Sequence, residues 1–362
     1  MGQTNMNNSN NETATYAKPS ESMAVDQDRL LAYLKQHVEG IEGPLDIKKF
    51  SGGQSNPTYR IKSGERVYVL RRKPHGEIHS SAHAIDREAR VMQALGSSAV
   101  PVPDIISHCE DDSVIGQEFY IMEFLDGRIF WDPLLPECDM EERKDIYYSL
   151  TDALADLHNI APEDVGLEKF GPTSNYYKRQ IDRWYTQYKA AGDPVDGMGD
   201  LFDWLIKNLP EQETISIVHG DYRLDNVIFD REQGKATGVI DWELSTLGCP
   251  FGDLSYYLLG WLVPISMKSG SSLASSNLEA LGIPSLEEIT ARYFERSKLE
   301  PPKDFTYYHV YNLFRLASIM HGISARAKAG NASNTGASRF GGLIPFVVSF
   351  AKGLIEPVNK TV

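Results

Sequence analysis

The stretch Val218-His219-Gly220-Asp221-Tyr222-Arg223-Leu224-Asp225-Asn226-Val227-Ile228-Phe229, followed after a short turn by Val239-Ile240-Asp241-Trp242-Glu243, decides how this chain is read. Its pattern is apolar strand, polar loop, apolar strand, a Gly-containing turn over Arg231–Lys235, and a second apolar strand that ends on an acid. Two carboxylates and one carboxamide thus arrive at the ends of short buried strands. One Asp of such a set can receive a hydroxyl proton, while the Asn and the second Asp offer hard oxygen ligands to a divalent metal beside a phosphate chain. Asp and Asn also cap turns, so the reading draws on the second acid and on the upstream features as well.

Composition bounds the answer. A chain of 362 residues suggests about two domains, each with enough chain for a core. The 41% apolar and 24% charged fractions are those of a soluble globular protein. The longest apolar run, Leu254 to Met267, is broken by Pro264 and is too short to cross a bilayer, so a buried helix is expected there. The first twenty residues are polar rather than basic and then apolar, which gives no sign of a signal peptide. Cys109, Cys138 and Cys249 lie far apart with no metal-type spacing, which suits a reduced, cytoplasmic protein. A net charge of −14 argues against nucleic-acid or anionic-membrane partners. The charge is uneven: from Ser255 onward eleven Lys and Arg face seven Asp and Glu, giving +4 there and −18 before it.

Residues 1–22 are rich in Asn, Ser and Thr and are expected to be a disordered tail. Leu30, Leu31, Leu34 and Val38 share one face of a helix expected over Gln27–Glu39. Leu45–Phe50, Thr58–Ile61 and Val67–Arg72 read as three antiparallel strands, with Ser63-Gly64 as the turn between the last two. Ser80 or Ser81 can cap a helix running to Leu95, and strands at Asp104–His108 and Glu118–Phe124 complete a small sheet. After Asp126-Gly127 the pattern becomes helical. The expectation is an α+β fold of two lobes: an N-terminal lobe over 23–126 and a helical C-terminal lobe over 127–362.

Ser51-Gly52-Gly53-Gln54-Ser55-Asn56 falls between the first two of those strands, where adjacent glycines let backbone N–H groups approach phosphate oxygens; a plain hairpin turn is the other reading. No G-x-x-x-x-G-K-[ST] is present, which disfavours a P-loop. On the third strand Val69, Arg71 and Lys73 share a face. His75, His79 and His83 recur every four residues, but Pro74 and Gly76 interrupt any helix that could align them on zinc. No G-x-S-x-G nucleophile elbow occurs, which lowers a hydrolase reading.

Asp221 and Asn226 are five apart, matching the D-x-x-x-x-N of a kinase catalytic loop, and Asp241 follows a hairpin where a kinase has its metal-binding Asp. His-Gly-Asp in place of His-Arg-Asp, and Asp-Trp-Glu in place of Asp-Phe-Gly, resemble the aminoglycoside phosphotransferase and choline kinase branch of the protein-kinase-like superfamily. Taken with the Gly-Gly-Gln-Ser-Asn loop, Val-Leu-Arg-Arg-Lys-Pro and Ala-His-Ala-Ile-Asp-Arg-Glu, the chain from Phe50 to at least Trp261 resembles the kinase domains fused to certain acyl-CoA dehydrogenases.

The resemblance implies a protein-kinase-like two-lobed fold and an ATP- and Mg²⁺-dependent transfer to a hydroxyl of a small molecule. Asp221 would be the base, and Asn226 and Asp241 the metal ligands. Gly52, Gly53, Gln54, Ser55 and Asn56 would cover the nucleotide, and Arg71, with Lys73 as the other choice, would pair with Glu88. The backbone around Glu123–Leu125 would meet the adenine, and Asp253 would brace the catalytic loop. His219 is expected to hold backbone, and His158 to be a structural residue at a helix end. Arg315, His321, Arg326, Lys328 and Arg339 make the C-terminal region basic, which favours an anionic or CoA-linked hydroxy acid over a polycationic antibiotic. An aminoglycoside kinase, a catalytically weak nucleotide-binding regulatory protein and a metal-dependent phosphohydrolase are the alternatives.

Overall fold

A computed structural model describes residues 16–17, 25–50, 56–74, 85–211, 214–265, 271–328 and 337–356. The chain divides into two compact units, one of residues 1–93 with 103–129 and one of 94–102 with 130–362.

The first unit is built on an antiparallel sheet of β1 (Tyr16–Ala17), β2 (Asp46–Phe50), β3 (Thr58–Ser63), β4 (Arg66–Arg72), β5 (Ile105–Cys109) and β6 (Phe119–Glu123), in the order β1-β2-β3-β4-β6-β5. β4 is paired on both sides, and from Tyr68 to Arg72 every residue is buried, which is why its sequence is nearly continuous Val-Tyr-Val-Leu instead of alternating. Helix α1 (Gln27–His37) lays Leu30 and Leu34 on Tyr59, Ile61, Leu70, Phe119 and Ile121. Asp26 starts this helix by accepting the N–H of Arg29 at 3.1 Å. Helix α2 (Ile85–Leu95) carries Glu88. Of the N-terminal segment expected to be disordered, Tyr16–Ala17 instead pair with β2, because Tyr16 has an apolar partner there: its ring centroid is 5.4 Å from that of Phe50.

The second unit is mainly helical: α3 (Met140–His158), α4 (Tyr176–Ala190), α5 (Met198–Lys207), α6 (Pro250–Leu262), α7 (Leu278–Leu281), α8 (Leu286–Ser297), α9 (Thr306–Lys328) and α10 (Ala337–Ile355). A core of Tyr177, Ile181, Leu201, Leu205, Val310, Phe314, Met320 and Val347, each at most 1% exposed, joins α4, α5, α9 and α10. Leu254–Leu262 of the apolar run lie in α6, buried on most sides, while the chain turns extended at Val263 before Pro264, and Ser266 and Met267 lie outside the described residues. Two small antiparallel ribbons lie in this unit: β7 (Ser216–Val218) with β10 (Thr246–Gly248), and β8 (Val227–Phe229) with β9 (Ala236–Val239). Strand β10 carries no alternating pattern of its own and was not foreseen. It forms because the backbone from Thr246 to Gly248 can complete the edge of β7.

Candidate active site

The loop from β7 to β8 holds the central residues. Gly220 adopts φ 85°, and a Cβ there would stand 2.6 Å from the carbonyl oxygen of Leu244. That is the physical reason for Gly at this place. A backbone turned this way has no ladder partners, so side chains satisfy it. Asp253, the fourth residue of α6 and 1% exposed, accepts the N–H of His219 at 2.5 Å and that of Gly220 at 2.9 Å, one on each oxygen. His158, the last residue of α3, brings Nε2 to 3.6 Å of the same carboxylate. Burial pushes the Asp253 carboxyl up, but His158, His219 and the Gly220 N–H outweigh it and hold it below its ordinary value. Arg315 of α9 donates through Nη2 to the Gly220 carbonyl.

His219 is held from both ring nitrogens. Nε2 lies 2.9 Å from the Ile240 carbonyl, which can only accept, so the proton is on Nε2; Nδ1 then accepts the N–H of Asp221 at 3.2 Å. With both nitrogens engaged by backbone, His219 orients the loop and is not placed to act as a base.

Asp221 is partly exposed and Asn226 is 7% exposed. The Asn226 amide nitrogen donates to the Asp221 carbonyl at 2.8 Å and to its Oδ2 at 3.2 Å. Both partners are acceptors, which fixes the amide's orientation and turns the carboxamide oxygen away from Asp221. Arg223 pairs with Asp225 at 2.5 Å and lies 3.8 Å from Asp221 Oδ2. Burial and then the neighbouring Asp221 carboxylate push the Tyr256 hydroxyl up, so it stays a proton donor beside that acid.

Asp241 reaches the same place through strand pairing. Val227 stands opposite Val239, and the Ile240 N–H donates to the Asn226 carbonyl at 3.0 Å, so the ends of β8 and β9 carry Asn226 and Asp241 side by side. Asp241 takes φ 68°, a left-handed conformation uncommon outside glycine. One of its carboxylate oxygens lies within 4.8 Å of one from Glu243. Between these acids Trp242 is fully buried, donates Nε1–H to the Val239 carbonyl at 2.9 Å and packs its ring 4.7 Å from that of His219. Asn226, Asp241 and Glu243 are a set of hard oxygen donors of the kind that suits Mg²⁺. Glu243 has no role in the sequence motif taken alone; its spacing of two from Asp241 is the available signal.

In the first unit, Arg71 meets Glu88 with both arms, Nε to Oε2 at 2.9 Å and Nη2 to Oε1 at 3.1 Å. Glu88 is fully buried and also accepts from the Tyr120 hydroxyl at 2.9 Å and from the Asn56 amide at 3.1 Å. Lys73 is engaged elsewhere, by Glu118, which also meets His108 at 2.9 Å. Geometry therefore selects Arg71 over Lys73 as the partner of Glu88. Asn56, expected to face a nucleotide, instead turns its amide inward to Glu88, because a buried carboxylate needs donors more than an amide needs solvent. Tyr120 was not foreseen. Gly52, Gly53, Gln54, Ser55 and the segment with His75, His79 and His83 lie outside the described residues. Glu123 is exposed at the end of β6, its N–H donating to the Asp104 carbonyl at 2.9 Å, and Leu125 follows it half-buried.

Among the described residues the basic C-terminal side chains turn to different surroundings; the side chain of Arg339 lies outside the described residues. Arg315 is buried behind the loop, His321 is buried with its ring 4.8 Å from that of Tyr188, and Lys328 pairs with Asp193 at 3.3 Å. Arg326 is exposed. Charge counted along a helix does not say which way each side chain turns, and here core packing decided it.

Residues 46–291 match the model of the phosphotransferase enzyme family, and the chain belongs to that family, with its kinase-like α+β fold. It is 39% identical over 333 residues to mouse acyl-CoA dehydrogenase family member 10, covering 91% of this chain and 31% of that protein. The chain thus spans well under half the length of the curated acyl-CoA dehydrogenase-named relatives it matches. A crystal structure from Ralstonia eutropha, of a protein whose name assigns it provisionally to the aminoglycoside phosphotransferases, superposes with a TM-score of 0.83 at 38% identity, covering 91% of this chain and 98% of that one. The aminoglycoside phosphotransferase APH(4)-Ia, in a ternary complex with AMP-PNP and hygromycin B, shares the fold at a TM-score of 0.58 and 18% identity, covering 90% of this chain and 99% of that one. Among the described residues no helix is long and apolar enough to cross a membrane.

Proposed function

We propose that this chain is a kinase that moves the γ-phosphoryl group of ATP, with Mg²⁺, onto a hydroxyl of a small molecule. The observation that carries the reading is the Asp221–Asn226 pair: an acid partly open to solvent, held by the amide nitrogen of Asn226, whose residue stands beside Asp241 through the pairing of β8 and β9. Asp221 accepts the hydroxyl proton and aims the acceptor oxygen. Asn226 and Asp241, with Glu243 beside them, would hold the cation, which would supply charge neutralisation for the nucleotide's phosphates. Arg71, kept in place by Glu88, would meet phosphate oxygens, and the backbone at Glu123–Leu125 would meet the adenine.

For the acceptor we favour a hydroxylated acyl-CoA, and the support is the naming of relatives at 39–41% identity as acyl-CoA dehydrogenases. An aminoglycoside is the second reading, favoured by the name of the Ralstonia protein.

The test is Mg²⁺-dependent ADP release from ATP over hydroxyacyl-CoA thioesters, choline, homoserine and kanamycin-type aminoglycosides, with Asp221→Asn as control. Stimulation by a hydroxyacyl-CoA, reduced about 10²–10⁴-fold in Asp221→Asn, is the expected result. Stimulation by aminoglycosides alone would keep the kinase and remove the acyl-CoA acceptor. ADP release that Asp221→Asn leaves intact would remove Asp221 as the base.

A further inference from the structure

We propose that Arg315 is a positioning residue of the Asp221 loop, fixing the Gly220 carbonyl, and through it the carboxylate of the next residue, from a helix 95 residues downstream. The inference rests on the reading of Asp221 as the proton acceptor.

Three observations carry it. First, the two N–H groups at His219 and Gly220 are taken by Asp253, and the Asp221 N–H is taken by His219. The Gly220 carbonyl completes this set, and Arg315 reaches it. That carbonyl and the Asp221 N–H belong to one peptide plane, so holding both ends fixes where the Asp221 side chain leaves the backbone.

Second, Arg315 is only 5% exposed, and among the described residues no carboxylate lies within ion-pair distance of it. A buried cation without an acid partner is costly, and an apolar side chain of similar volume would pack the same space more cheaply. The charge is retained instead, flanked by the ring faces of Trp184 at 5.4 Å and Tyr256 at 4.9 Å. Burial lowers its affinity for the proton, but Tyr311, Tyr256 and Asp221 outweigh that, so the guanidinium keeps its charge.

Third, Tyr256 is itself beside Asp221, so the same guanidinium that holds the loop backbone also backs the residue that faces the acid. The loop has Gly220 where a kinase loop usually has Arg, and here a guanidinium reaches it from α9.

The experiment measures ADP release from Mg–ATP with water as acceptor, a probe that needs no knowledge of the natural acceptor. It uses wild type, Arg315→Lys, Asp221→Asn and the double variant, each with a thermal melt. Arg315→Lys is expected to lower kcat about 10–100-fold with KM for ATP changed less than about twofold. The double variant is expected to be no slower than Asp221→Asn alone, because the arginine acts only through that carboxylate. A folded Arg315→Lys variant with wild-type kcat overturns the proposal, and so do losses that multiply in the double variant. If the Lys variant does not fold, Arg315→Ala is assayed with and without low concentrations of guanidinium: recovered rate supports the proposal, and a folded variant that guanidinium does not restore overturns it. An Asp221→Asn variant as fast as wild type overturns the underlying reading of the site, a result distinct from either outcome for Arg315.

Discussion

At the scale of single residues, the site is a matter of which donor meets which acceptor. Glu88 accepts four contacts in a place with no access to water: two from Arg71, one from Tyr120 and one from Asn56. A planar guanidinium can serve both oxygens at once; an ammonium cannot. Arg71→Lys, although it installs the residue a kinase usually has there, is therefore expected to raise KM for ATP about three- to tenfold and to leave a folded protein, since Tyr120 and Asn56 still satisfy the acid. Steady-state kinetics at varied ATP check this, and an unchanged KM would show that Arg71 has no part in nucleotide binding. The Arg71–Glu88 pair was expected from the resemblance to kinases, which pair a basic residue of this strand with an acid of the next helix; strand alternation alone gave Arg71 and Lys73 the same face and could not choose between them. The Asn56 contact was not legible, because a short polar residue next to a Gly-Gly turn carries no sign of which way it turns. Arg315 was misread for a related reason: its charge is visible in the sequence, but its burial is set by α4 and α6, far away along the chain.

Secondary-structure elements place Asn226 and Asp241 within reach of one another. Asn226 and Asp241 were legible as a pair because a hairpin between them is a local event, and its turn is secured locally: Asp230 accepts the N–H groups of Glu232 at 2.8 Å and Gln233 at 3.0 Å. The loop before β8 depends instead on α6 and α9, and its Gly220 is the point where both act. Gly220→Ala meets two penalties, the left-handed φ of 85° and the Leu244 carbonyl at 2.6 Å. We expect a loss of roughly 2–4 kcal/mol in urea unfolding, together with a fall in phosphotransfer larger than the change in stability accounts for. A wild-type unfolding midpoint would mean that the loop can relax away from Leu244. The bounds of α1 shifted by two residues from the expected Glu39 because Val38 turns extended at φ −130°, a choice the apolar spacing does not reveal.

For the whole molecule, stability should depend on pH through a residue outside the loop. His309 of α9 sits against Ser255 of α6, with Nδ1 2.8 Å from its hydroxyl and its ring 5.6 Å from Phe305. Burial lowers its pKa from the ordinary 6.5 to about 4, against a smaller opposing effect of Asp304. The folded state thus binds fewer protons than the unfolded state between those values. The stability this provides is complete above pH 6.5 and is lost as pH falls toward 4, on the order of 3 kcal/mol in all. Melting temperatures from pH 7.5 to 4.5 should fall less steeply in His309→Gln than in wild type. Equal slopes would locate the acid sensitivity in other groups. The α+β class and the order of elements in the N-terminal unit were legible because they follow from hydrophobic period and turn residues, whereas the C-terminal unit was legible only as mainly helical and β10 was missed. Which polar groups are shielded is decided only after α4, α6 and α9 pack together.

Trp242 deserves to be seen as an instrument as well as a packing residue. Its indole, one residue along the chain from both Asp241 and Glu243, is fully buried and packs on the ring of His219, whereas Trp131 is 52% exposed. Light absorbed by the buried indole is re-emitted from beside the residues proposed to hold the cation, out of contact with bulk water. The molecule therefore contains a chromophore at the place where phosphate chemistry is proposed, and no label has to be attached to watch that place fill.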